Sequence, residues 1–141
     1  MDLKEYADYA KQTKAVLGDK LSNNLHMILG MVTETGELTD IFKKNMAYGK
    51  EIDWVNVQEE IGDLMWYVIN FCTINGFDLE DILKQNVAKL IVRYPNKFSK
   101  EKAITRDLDR ERKILEELGY SETKATKTYI GDGRPVVTKW D

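Results

Sequence analysis

Four acidic residues stand out by their spacing: Glu34 with Glu37, and Glu60 with Asp63. On a helix, side chains at i and i+3 lie on the same side about one turn apart, so each pair can grip one cation. Ligands that offer only oxygen suit hard ions such as Mg2+, with Mn2+ as a substitute. Counting ~100° per residue sets Glu34 and Glu37 beside an apolar stripe through Met31, Val32, Thr35, Leu38 and Phe42. The same count groups Glu60, Asp63 and Tyr67 beside the stripe of their own segment and turns Glu59 toward solvent. If the two stripes pack as an antiparallel pair, four carboxylates converge at the edge of a buried seam, where their mutual repulsion calls for a cation. Acidic pairs on so charged a chain are usually solvated surface. Two pairs favour a site because each flanks an apolar stripe and contains a glycine, Gly36 or Gly62, that permits close helix approach.

The elements that must hold these residues are helices. A first helix is expected from about Asp2 to Leu17, stopped by Gly18, and a second from about Leu21 to Tyr48, ended by Gly49. The second has Leu25, Ile28, Val32, Leu38, Phe42 and Met46 at helical spacing. Asp53 is the expected N-cap of a third helix reaching Asn75, with Val57, Ile61, Leu64, Met65, Val68, Ile69 and Cys72 on one stripe. Asp78 caps a fourth, whose apolar positions Ile82, Leu83, Val87, Leu90 and Ile91 end before Tyr94-Pro95. A fifth, charged helix is expected over about Ile104 to Leu118. Residues 120–141 read as a polar extension, either a tail or a short hairpin around Gly131-Asp132-Gly133. The expectation is one all-α domain over residues 1–119, a four- to five-helix bundle, followed by the extension.

Composition excludes several classes. With 24 acidic and 21 basic residues the net charge is -3, too balanced for a nucleic-acid partner. The lone Cys72 lies in an apolar run and reads as a small core residue. No signal-type segment or apolar span of membrane length is evident, so a cytoplasmic location and no membrane are expected. His26, the only histidine, has no second soft ligand near it, and the Glu-x-x-His motifs of carboxylate-bridged di-iron bundles are absent from the sequence.

The segments Glu34-Thr35-Gly36-Glu37-Leu38 and Glu59-Glu60-Ile61-Gly62-Asp63-Leu64-Met65-Trp66-Tyr67 resemble the two halves of the MazG-like nucleotide pyrophosphohydrolase signature, ExxE followed by ExxD. Asn86-Val87-Ala88-Lys89-Leu90-Ile91-Val92-Arg93-Tyr94-Pro95, with Phe98, resembles the family's third block. The resemblance implies an all-α NTP pyrophosphatase fold and assembly as a homodimer or homotetramer. It also implies that Mg2+ held by Glu34, Glu37, Glu60 and Asp63 helps split a nucleoside triphosphate into monophosphate and pyrophosphate. Thr33 departs from the many members that carry a further acidic residue before the first glutamate.

Asn86, Lys89 and Arg93 follow i, i+3, i+7 spacing, which gives the fourth helix a donor face for phosphate oxygens. Tyr67, one turn past Asp63, is expected either to lie on the sugar or base or to fill the core. Lys44 shares a helix side with Glu37, although a lysine there also suits the helix dipole. Two alternatives stand beside this reading: a phosphoribosyl-ATP pyrophosphohydrolase-like enzyme, and a non-enzymatic helical oligomeric adaptor. Trp54 and Trp66 lie off the main stripe of the third helix, which points to a homo-oligomer.

Overall fold

The computed structural model describes residues 1–119, and the expected C-terminal hairpin lies outside them. The described residues are all-helical: α1 (Leu3–Thr13), α2 (Lys20–Tyr48), α3 (Trp54–Asn75), α4 (Leu79–Arg93), α5 (Lys100–Ile104) and α6 (Leu108–Glu117). They form two compact units, Met1–Ile82 and the residues from Leu83 onward, with α4 beginning in the first and continuing into the second.

In the first unit α3 is the central element, with α2 along it and α1 packed on it as well. Its ends are set by local chemistry. Asp53 accepts from the N–H groups of Val55 and Asn56, and Gly76 (φ 69°) returns its own N–H to Cys72 and Thr73 in a left-handed cap. Asp78 caps α4 by accepting from Glu80 and Asp81. The core gathers Ala10, Ile69, Cys72 and Leu79, with Leu3, Tyr6, Met65 and Trp66 packed against it.

Several expectations are corrected. α1 ends at Thr13 instead of Leu17, because Asn23 binds both the N–H and the carbonyl of Leu17 and holds that segment against the start of α2. The charged helix expected from about Ile104 starts only at Leu108, as α6, and a separate short helix, α5, ends at Ile104. Ser99 caps α5, Asp107 caps α6 by accepting from Arg110, and that second cap interrupts the run. Along α2, Leu25, Ile28, Val32, Phe42 and Met46 are all exposed, Val32 by 65%, and the buried positions are Met27 and Gly30. On α4, Leu83, Val87 and Ile91 are likewise exposed.

Close approach of α2 and α3 runs through Gly30, not through Gly36 or Gly62, neither of which has a neighbour within 4 Å of where a Cβ would stand. At Gly30 that atom would lie 2.1 Å from Cε1 of Tyr67. Glycine has no side chain to register in an apolar stripe, so the seam was displaced from where hydrophobicity placed it. Gly30→Ala is expected to destabilise the protein by ~1–3 kcal/mol, although alanine favours a helix, because the Tyr67 ring must leave its place. A urea titration comparing the two proteins measures this, and an equal or higher midpoint would show that the contact is not tight.

In the second unit the organising feature is an ion triad. Arg93 donates from Nε and Nη2 to the two carboxylate oxygens of Glu111 at 2.8 and 2.6 Å, and Arg106 adds a 2.7 Å contact to the same group. Glu111 is only 4% exposed. The two guanidinium groups hold its carboxyl down to about 2 by hydrogen bonding.

Candidate active site

α2 brings Glu34 and Glu37, and α3 brings Glu60, to a shared edge. Glu34 is half-buried, Glu37 exposed and Glu60 buried, and one carboxylate oxygen from each lies within 4.8 Å of the others. Asp63 is exposed and stands outside that trio, yet its charge still acts on Glu34. Burial, followed by the charges of Glu37, Asp63 and Glu60 and a hydrogen bond to Glu60, pushes the Glu34 carboxyl above its ordinary value. Glu59 is exposed, as the helical count expects.

This electrostatic crowding has a measurable sign. Because the folded value of Glu34 lies above the ordinary 4.5, the folded protein holds that proton more tightly than the unfolded chain does. The favourable contribution is fully present below pH 4.5 and is lost as pH rises through the raised value. Denaturant titrations in EDTA should therefore show wild type losing stability relative to Glu34→Gln as the pH climbs from 4.5. Parallel curves would show that Glu34 carries no excess proton affinity.

Two of the trio, Glu37 and Glu60, line a groove of about 550 Å3 together with Gly36, Asp40, Lys44 and Asn56 among others. Asp40 sits one turn past Glu37 and pairs with Lys43 and Lys44, whose hydrogen bonds hold its carboxyl down to about 2. Lys44 thus shares the groove with Glu37 and is paired with Asp40 rather than serving only the helix end. At the Asp63 end, the Tyr6 hydroxyl donates to the Gly62 carbonyl at 3.4 Å. Burial, then the Asp63 charge, raises the pKa of that phenol.

Sequence reasoning did not single out Asp40, Asn56 or Tyr6. Asp40 and Asn56 had a visible signal, since each lies within one helical turn of a proposed ligand on its own helix. Tyr6 had none, because its position depends on how α1 packs on α3.

Tyr67 lies over Gly30, with its ring edge-on to His26 (centroids 6.1 Å apart) and to Trp66 (4.9 Å). Trp66 donates from Nε1 to Thr13, and Trp54 is 61% exposed with its ring against Phe42. Asn86 (exposed), Lys89 (half-buried) and Arg93 (half-buried) lie on the part of α4 that belongs to the second unit, where Arg93 is bound to Glu111. Thr33 donates to the Gly30 carbonyl at 2.9 Å and reaches a Glu34 oxygen at 3.4 Å.

A family model, the MazG nucleotide pyrophosphohydrolase domain, matches residues 22–98, more than half of the 141. The chain belongs to the MazG family. The matched region contains both acidic pairs and the block from Asn86 to Phe98, so the carboxylate edge lies inside the MazG domain. A general nucleotide pyrophosphohydrolase function comes with that membership. No curated protein and no solved structure matches the chain. Among the described residues of this MazG protein, no helix is long and apolar enough to cross a membrane.

Proposed function

We propose that the protein hydrolyses nucleoside triphosphates, ribo- or deoxyribo-, to monophosphate and pyrophosphate in a reaction that requires Mg2+ or Mn2+. The observation that carries this reading is the meeting of Glu34, Glu37 and Glu60 from two helices inside the MazG domain, with Glu37 and Glu60 lining a groove. The donor set fits a hard divalent cation: every ligand is a carboxylate, one is buried, and a cation would relieve the repulsion that adds to burial in raising Glu34. Glu34, Glu37, Glu60 and Asp63 are the proposed ligands. A bound ion there would neutralise charge on the triphosphate and lower the pKa of the attacking water.

The chain's own groups do the positioning. Lys44 offers a cation along the groove beyond Glu37, suited to phosphate oxygens. Asn86, Lys89 and Arg93 are proposed phosphate donors on their spacing. Arg93 already uses Nε and Nη2 on Glu111. Tyr67 is proposed to border the nucleoside from its place over Gly30.

A homo-oligomer, either dimer or tetramer, belongs to the same proposal. Leu25, Ile28 and Val32 make a continuous exposed apolar face on α2, of the kind that a second copy covers. Light scattering at micromolar concentration tests it, and a monomer contradicts it. A cytoplasmic location and the absence of a nucleic-acid partner complete the proposal. The catalytic reading is tested by pyrophosphate release from the eight common ribo- and deoxyribonucleoside triphosphates, each with Mg2+ and with EDTA. Metal-dependent release from at least one is expected. No release from any would favour the non-enzymatic adaptor.

A further inference from the structure

We propose that Asn56 is a positioning residue that fixes the orientation of the Glu60 carboxylate and so determines which of its oxygens meets the cation, an inference that rests on the metal site proposed above. Asn56 stands one turn before Glu60 on α3 and borders the same groove. Its Nδ2 donates to Glu60 Oε1 at 2.9 Å. An ionised carboxylate only accepts hydrogen bonds, so the amide must present its NH2 group to it. With Oε1 held, Oε2 is the oxygen left for the face shared with Glu34 and Glu37.

Asn56 is itself anchored. Its backbone N–H donates to the Asp53 cap at 3.2 Å, which places the amide on the first turn of α3. Glu60 is 6% exposed, so without Asn56 the Oε1 atom loses the amide hydrogen bond while remaining largely shut off from water. A carboxylate released in that way can rotate about its terminal torsion, and a ligand of uncertain orientation binds a metal less tightly. Partners of this kind, bonded to the ligand rather than to the metal, typically contribute 10–100-fold to metal affinity.

The test is a Mn2+ titration of the full chain, read by the electron paramagnetic resonance signal of the free ion, together with thermal midpoints in EDTA and in saturating Mn2+. Asn56→Leu preserves bulk without a donor, and Asn56→Ala serves should the leucine variant fail to fold. Either is expected to weaken Mn2+ binding by about 10–100-fold and to shrink the rise in midpoint that Mn2+ produces. Gln58→Leu, an exposed neighbour whose amide bonds the Trp54 carbonyl, should change neither. If the Asn56 variants bind Mn2+ as wild type does while both midpoints fall together, Asn56 is merely structural and the inference is overturned. If wild type itself binds no Mn2+, the metal site fails first and the proposed role of Asn56 falls with it.

Discussion

Glu60→Gln is expected to cut turnover by a factor on the order of a thousand while raising the thermal midpoint of the metal-free protein. Glu60 is the most buried of the three converging carboxylates and the one bonded by Asn56, so it stands beside Glu34 and Glu37 with little access to water. Glutamine fills the same volume and still offers an oxygen to the Asn56 amide, so packing should survive. Neutralisation relieves both the burial of a charge and its repulsion with Glu34 and Glu37, which should lift the midpoint in EDTA by roughly 2–4 °C. The same change removes an anionic ligand, so stability and activity should move in opposite directions. Glu59→Gln, one residue away but exposed, is the control and should do little to either. Equal damage from Glu59→Gln, or near-normal turnover of Glu60→Gln with Mg2+, would show that the converging carboxylates are not the site.

Glu111→Ala should have the largest effect on folding of any single change in the second unit. Removing the carboxylate leaves Arg93, already half-buried, and Arg106 as neighbouring like charges, and breaking a buried pair by deleting one partner is more damaging than never having had it. A drop in midpoint of roughly 10 °C or more is expected by circular dichroism. A second signature is the pH dependence. The folded value of Glu111 is depressed to about 2 from 4.5, so its contribution is present above pH 4.5 and is lost as the pH falls through about 2. The acid limb of the wild-type stability curve should therefore flatten in Glu111→Gln. A variant that melts like wild type and keeps its acid limb would show that the triad contributes nothing.

Much of the architecture was legible because punctuation and pattern agreed. Asp53 and Gly76 bound α3 to the residue, Asp78 and the Tyr94-Pro95 step bound α4, and the i, i+3 spacing marked Glu34, Glu37 and Glu60, which converge, along with Asp63, which stands outside that trio. What escaped followed from chemistry that a hydrophobic stripe does not encode. Gly30 makes a close helix contact with no side chain, so a stripe through Leu25, Ile28, Val32, Phe42 and Met46 points to a face that is exposed. Asp107 is one more charge in a charged run by type alone, and only its side chain accepting from the Arg110 N–H starts α6 at Leu108 rather than near Ile104. Likewise, the i, i+7 donor spacing of Arg93 could not reveal that Glu111, 18 residues on, would occupy its guanidinium.

The central claim is that these carboxylates serve attack of water at the α-phosphorus of a nucleoside triphosphate. It is tested most directly by running the Mg2+-dependent reaction in 18O-labelled water and following the products by phosphorus NMR. The expected result is pyrophosphate as the primary product, with the isotope shift on the nucleoside monophosphate alone. Orthophosphate as the primary product, or label on the pyrophosphate, would contradict the account.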